Sequence, residues 1–315
     1  MGDVELMPGT SAIRRTRVLL PLDAVVRKEL RTRMRSRHSL AIVTVYLGVL
    51  GSVLVVFLIE HSDPGSGRSS QVGSQLLQTL AIFQLCLILF VTPSSMAGAV
   101  SGERQQRTWE LLRVTRLTSF DIVWAKLLAG LTVNLFLLFG SLPLLSSVFL
   151  FGGVGPRDVL YTYLVLVLTV LLLAVISLLV SVLTSKPATS IIVSIVLSVL
   201  LGFGLSLLVL FLEAEQQGTG ITILTQLGSL PPGTPPLTPW AQVDPIVALL
   251  SALPNGKGGT LLGGLGKVHH AFGLPWTTSL WGAFCLLSLA ISLLLVALSS
   301  LLIRLGPPWL NRPAA

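Results

Sequence analysis

Apolar residues in this chain run on where a soluble fold would interrupt them. Six stretches stand out, roughly Leu40–Leu58, Gln75–Val100, Ile122–Phe151, Val159–Leu183, Ser190–Leu212 and Leu280–Ile303. A helix of about 20 residues crosses the hydrocarbon core of a bilayer, so each stretch can span with some tilt. Barrel strands are about half that length and alternate apolar with polar, which these stretches do not. Inside a bilayer every backbone N–H and C=O needs a partner, and a helix supplies one within a single continuous run. The pattern predicts an all-α membrane protein. Six transmembrane helices fill 39–304, between tails at 1–38 and 305–315.

Three polar intervals carry patterns of their own. In Pro21–His38, PLDAVVRKELRTRMRSRH, the apolar residues Val26, Leu30 and Met34 recur every fourth position, each followed by an arginine, Arg27, Arg31 and Arg35. A helix with that spacing lies in the membrane plane, its apolar stripe down and its basic side among the head groups. Asp23 is a fair cap for it. The second interval, Ser101–Leu117, reads SGERQQRTWELLRVTRL and packs six charges into 17 residues between two of the longest apolar stretches. Ser101 is placed to cap a short helix whose first turn holds Glu103, the favoured sign at the positive end of the helix dipole. Glu103–Arg107 and Glu110–Arg113 have ion-pair spacing. Trp109 and Leu112 share a face, with Leu111 beside it. A tryptophan on so charged a helix wants a pocket, in the lipid interface or in another protein. Thr118-x-x-Asp121 then has the form of a capping box that starts span three.

The third interval, 213–276, is rich in Gly and Pro and reads largely as loop. Its exception is VDPIVALLSALPNG, Val243–Gly256. There Asp244 caps a helix, Pro245 takes the first helical position, and Pro254-Asn255-Gly256 ends it. Too short to span but apolar, this helix is expected to dip into or rest on the outer leaflet.

Charge sets the orientation. Of the 21 Lys and Arg residues, 17 fall on one side if the N-terminus is cytoplasmic, and 4 on the other. The positive-inside bias places both termini and the loop 101–120 in the cytoplasm of a cell-membrane protein, and 213–276 outside. Anionic head groups account for the basic excess, so no nucleic-acid partner is inferred. Val18-Leu19-Leu20, closed by Pro21, is too short for the apolar region of a cleaved leader, and the N-terminal segment is expected to be a basic tail.

Several chemistries lack their residues. The middles of the spans hold no Asp, Glu, Lys, Arg or His; Glu60, Lys126 and Arg304 sit toward span ends. Ion-coupled transport usually needs such groups, and a voltage sensor needs a span bearing arginines. The Gly-Lys pairs at Gly256-Lys257 and Gly266-Lys267 are not phosphate loops. Ser251 and Leu261 stand where a first Gly is required, and Gly258 and Val268 follow where Ser or Thr is required. His269-His270 has no Cys, Asp or Glu nearby to complete a metal site. Cys86 and Cys285 both fall in apolar runs and read as small buried side chains. No catalytic residue, cofactor or metal is assigned to this chain. The cargo is not readable, since Asn134, Gln84 and the span hydroxyls would suit a polar one and the apolar surface a greasy one.

The stretch SGERQQRTWELLRVTRLTSFDIVWAKLL resembles the cytoplasmic loop of the type-two permease subunits of ATP-binding-cassette exporters. Glu103, Arg104, Thr108, Glu110, Leu111, Leu112, Thr115, Leu117, Ile122 and Lys126 carry the match. Arg107, Trp109, Arg116 and Ala125 depart from it. VVRKELRTRMRSR looks like that family's elbow helix, and VDPIVALLSAL is similar to its segment before the last span. The resemblance implies a permease with an elbow helix and a coupling helix. In such proteins the coupling helix docks on a separate ATPase subunit, which carries ATP and Mg. Here Glu103, Arg104, Arg107, Thr108, Trp109, Glu110, Leu112 and Arg113 would form the docking face. A second permease chain, identical or related, is implied as well. The same helix also fits a second reading, a membrane scaffold that recruits a cytoplasmic partner without transport.

Overall fold

The computed structural model describes residues 37–60, 69–106, 118–207, 243–255, 259–260 and 280–305. The helices are α1 (Arg37–Glu60), α2 (Ser69–Met96), α3 (Ser101–Gln105), α4 (Ser119–Gly140), α5 (Leu142–Ser146), α6 (Pro156–Leu183), α7 (Pro187–Val199), α8 (Pro245–Ala252) and α9 (Leu280–Leu305). A 3-10 turn, Ser147–Leu150, extends α5, and a π turn, Leu200–Gly204, extends α7. Two short strands, Pro254–Asn255 and Gly259–Thr260, pair antiparallel. Six stretches are long and apolar enough to cross a membrane: Ala41–Glu60, Gln71–Gln105, Ser119–Leu150, Pro156–Leu183, Pro187–Leu207 and Trp281–Leu305. They are the six expected spans, with ends shifted by a few residues. The elbow residues Val26 to Arg35 lie outside the described residues.

The helices start where local chemistry dictates. Thr118 and Asp121 form the expected reciprocal box: the Thr118 hydroxyl accepts from Asp121 N–H, and the Asp121 carboxylate accepts from Thr118 N–H at 3.1 Å. Pro156, Pro187 and Pro245 each open a helix, where the missing N–H costs nothing. The Asp158 carboxylate accepts from Gly155 N–H at 2.9 Å and closes the start of α6.

Span four, α6, is the axis. Of its most apolar 18 residues 72% are buried, against 17%, 22% and 28% for spans one, five and six, so those three turn broad faces out of the bundle. α6 packs against α2, α4, α7, α8 and α9. Small side chains bring its neighbours close. In α9, Cys285, Ser288, Ser292 and Ser299 are buried; in α7, Ser190, Ser194 and Ser198 recur every fourth residue, with Gly202 continuing the row. Without a hydrophobic force between helices in lipid, such small-residue stripes permit the close backbone approach that holds a bundle together.

Span three is not one helix. It stops at Gly140, turns at Ser141, and resumes as α5 with Pro143 in its first turn. The Ser141 hydroxyl donates to Leu138 C=O at 2.7 Å and accepts from Gln84 Nε2 of α2 at 2.7 Å. Tyr163 of α6 places its hydroxyl 3.2 Å from Ser141 Oγ and donates to Leu138 C=O. A break inside a bilayer exposes backbone carbonyls that must be satisfied by side chains; here Ser141 itself and Tyr163 of span four serve Leu138 C=O, and Gln84 of span two holds the Ser141 hydroxyl. Gln84, a residue that composition leaves open to a polar cargo, is thus engaged in the fold.

At the same end the chain leaves the 3-10 turn through Gly152 and Gly153, whose φ values of 73° and 77° suit only glycine. The Gly152 carbonyl lies against Gly73 of α2, so close that a β-carbon on Gly73 would overlap its oxygen.

α8 is seated against the bundle. Pro245, Ala248, Leu249, Ser251 and Ala252 are buried against α6, α9 and α2. Gln78 of α2 donates to Pro254 C=O at 2.7 Å and pins its end. Asp244 caps α8 as expected, accepting from Ile246 N–H at 2.8 Å, and it also accepts from the Ser206 hydroxyl of span five at 2.5 Å. Burial dominates over these bonds and pushes its carboxyl up to about 6. A carboxyl raised on folding makes the folded chain bind its proton more tightly than the unfolded one. Stability therefore falls as pH rises from about 4 to about 6, and stays low above that. Asp244→Asn keeps a capping oxygen and removes the ionisation. The variant is expected to gain on the native chain in thermal stability between pH 4.5 and pH 7.5; a constant difference across that range would contradict the assignment.

Candidate functional site

The site is the base of the loop that follows span two. The sequence there, TPSSMAGAVSGERQ, is built from small residues, and the α2 ladder ends among them. Ala97 N–H still reaches Pro93 C=O at 2.9 Å, but Ala99 N–H folds back to Met96 C=O at 3.0 Å, and α3 then starts at Ser101. This turn strands the N–H groups of Val100 and Ser101 and the C=O of Ala97. Each buried backbone group left without a partner would cost on the order of 1–3 kcal/mol.

Hydroxyls from other spans fill the gap. Ser181, near the end of α6, accepts from both Val100 N–H and Ser101 N–H at 3.0 Å each. Ser190 of α7 donates to Ala97 C=O at 2.6 Å, and Ser101 Oγ donates to the same carbonyl at 3.1 Å. Ser101, Ser181 and Ser190 are fully buried. The expectation that Ser101 caps the loop helix is corrected: Val100 holds the cap position with no side-chain cap, and the Ser101 hydroxyl turns back into the bundle.

The charges at the loop base also turn inward. Arg104 donates from Nη2 to Val182 C=O at 2.7 Å and from Nη1 to Thr184 C=O at 3.2 Å. It thereby satisfies carbonyls at the C-terminus of α6, where positive charge is favoured. The Glu103 carboxylate meets Lys126 Nζ at 2.7 Å. Lys126 is 4% exposed and sits two turns inside α4, deeper than its place in the sequence suggests. Four and eight residues further along α4, Gly130 packs against Met96 and Asn134 donates to Ser95 Oγ at 3.0 Å. Lys126, Gly130 and Asn134 thus form one stripe that meets Glu103, Met96 and Ser95 in turn. Asn134, like Gln84, is engaged within the fold.

Of the residues expected on a docking face, Glu103 and Arg104 are therefore held by the chain's own spans. Arg107, Thr108, Trp109, Glu110, Leu112 and Arg113 lie outside the described residues, as does His269-His270. Sequence reasoning missed Ser181, Ser190 and Lys126 as elements of the site. The row Ser190, Ser194, Ser198, Gly202 is a small-residue repeat that could have flagged α7 as a packing helix. Nothing local in the sequence marks Ser181. Among the described residues no group of three or more His, Cys, Asp or Glu side chains is placed to hold a metal ion.

Comparison with curated proteins gives no match. A family model described as ABC-2 family transporter protein matches residues 38–243. The match takes in five of the six spans and the whole loop between spans two and three. With six helices among the described residues long and apolar enough to cross a membrane, and that match over most of its length, the chain belongs to the ABC-2 transporter family, as a transmembrane permease subunit of an ATP-binding-cassette transporter.

Proposed function

We propose that this permease is an exporter subunit driven by a separate ATPase subunit that seats on the loop from Ser101 to Leu117. Both termini and this loop face the cytoplasm of a cell membrane, and two permease chains sit on two ATPase chains. The observation that carries this reading is the anchoring of the loop base. An exposed connecting loop needs no inward-facing charges, yet this one is fastened to span three by Glu103–Lys126 and to span four by Arg104 and Ser181. A loop so fastened passes a push on its outer part to two spans at once. ATP binding would close the ATPase subunits and move the loop, and the spans would repack between inward- and outward-facing arrangements. The positive-inside bias supports the orientation. The scarcity of ionisable groups in mid-span supports an energy source outside the bilayer.

Trp109→Ala and Glu110→Lys test the docking. Both alter the outer part of the loop and leave the anchored base untouched. In membranes containing the ATPase subunit, each is expected to lower the amount of ATPase that co-purifies with the permease by tenfold or more, about the effect of losing one anchor residue in an interface. Unchanged association for both would remove the loop from the docking role.

A further inference from the structure

We propose that Lys126 is a positioning residue of the transport cycle: its ion pair with Glu103 is the link through which the loop moves span three. This rests on the reading that an ATPase drives the chain through the same loop. The geometry separates Lys126 from its neighbours on the stripe. Gly130 and Asn134 meet Met96 and Ser95, which belong to α2 itself. Lys126 alone of the three reaches past the break at Ala97–Val100 and grips α3. Span three also packs on α6 and α9 and is continuous with the far end of the loop at Thr118; Lys126 adds a hold on the first turn of the loop, two turns inside the span.

The chemistry suits that task. Lys126 is almost wholly buried and Glu103 is partly so, with side-chain exposures of 5% and 25%. Attraction between opposite charges strengthens as water is excluded, and it resists separation in every direction. A pair kept for stability alone could be replaced by neutral side chains of similar size with little loss. A pair that carries motion could not, because neutral side chains slide where charges hold. Arg104 forms the equivalent link to span four, but through backbone carbonyls that no side-chain exchange can re-create. The Glu103–Lys126 pair can be rebuilt in reverse, which makes it testable.

The test uses membranes holding the full-length permease with its ATPase subunit. A reporter cysteine replaces Leu150, 85% exposed at the far end of span three, in a Cys86→Ala, Cys285→Ala background. Labelling by a water-soluble maleimide is compared with and without ATP plus vanadate. In the native pair a several-fold change in labelling rate is expected. The double variant Glu103→Gln, Lys126→Met removes both charges of the pair together, and is expected to lose the change while the ATPase subunit still co-purifies; loss of the ATPase would make Glu103 a docking residue and overturn the positioning role. The exchange Glu103→Lys, Lys126→Glu is expected to regain it. A double variant that responds like the native chain would overturn the proposal, as would an exchanged pair that keeps its ATPase and stays silent. A native chain that does not respond to nucleotide would instead overturn the ATP-driven reading beneath it.

Discussion

Ser181→Ala is expected to destabilise the chain by about 2–6 kcal/mol, the sum for two buried backbone N–H groups at about 1–3 kcal/mol each. Both groups, on Val100 and Ser101, have Ser181 Oγ as their acceptor. Neither can return to the helical ladder, because the turn at Ala97–Val100 has already moved the carbonyls they would need. Ser190→Ala removes one donor to Ala97 C=O, but the Ser101 hydroxyl still serves that carbonyl. Its expected cost is about 1 kcal/mol, the ordinary net value of one hydrogen bond. Ser181→Thr keeps the hydroxyl and should recover most of the loss. Thermal unfolding in detergent checks the order. Equal effects for Ser181→Ala and Ser190→Ala would mean that the loop base is not held as described.

Gly73→Ala is the second large effect, at about 1–3 kcal/mol or more, the range for forcing extra volume into a packed site. The added β-carbon would overlap the Gly152 carbonyl oxygen. That obstacle is backbone, and it belongs to a turn whose two glycines already adopt positive φ. Neither side can yield without moving the start of α2 or the link from span three to span four. Gly130→Ala is the informative comparison. Its β-carbon would collide with Met96 Sδ, nominally a worse clash. Met96 is a flexible side chain, however, and methionine repacks readily. Gly130→Ala is therefore expected to be the milder of the two, and the reverse order in a melting experiment would show that side-chain freedom at Met96 is already exhausted.

The spans were legible in the sequence because an uninterrupted apolar run of about 20 residues suits little besides a bilayer. The starts of α4 and α8 were legible because a capping box and an Asp-Pro step act within four residues. What could not be read was tertiary. Every span is similarly apolar, so nothing in composition separates an outward-facing helix such as α1 from the buried axis α6. In a bilayer both environments favour the same side chains. Local spacing offered Glu103 a partner in Arg107; the structure adds Lys126, 23 residues on and on a different helix. Ser181 serves groups 80 and 81 residues earlier in the chain, a distance over which no periodicity survives. The broken third span carried its mark in Pro143, but the partners that repair it, Gln84 and Tyr163, lie on other spans. The outer part of the loop, with Trp109 and Glu110, is placed by the sequence alone.

A distance tests most directly whether the loop base and span four form one body. Spin labels at Gln105, exposed just past Arg104, and at Leu183, 46% exposed at the end of α6, would be measured in the full permease–ATPase complex in membranes, with Cys86 and Cys285 replaced by alanine. With and without ATP plus vanadate, the separation is expected to stay the same and its distribution narrow, even as the spans repack. A separation that shifts or broadens on nucleotide binding would mean that the loop slides over the bundle instead of moving it.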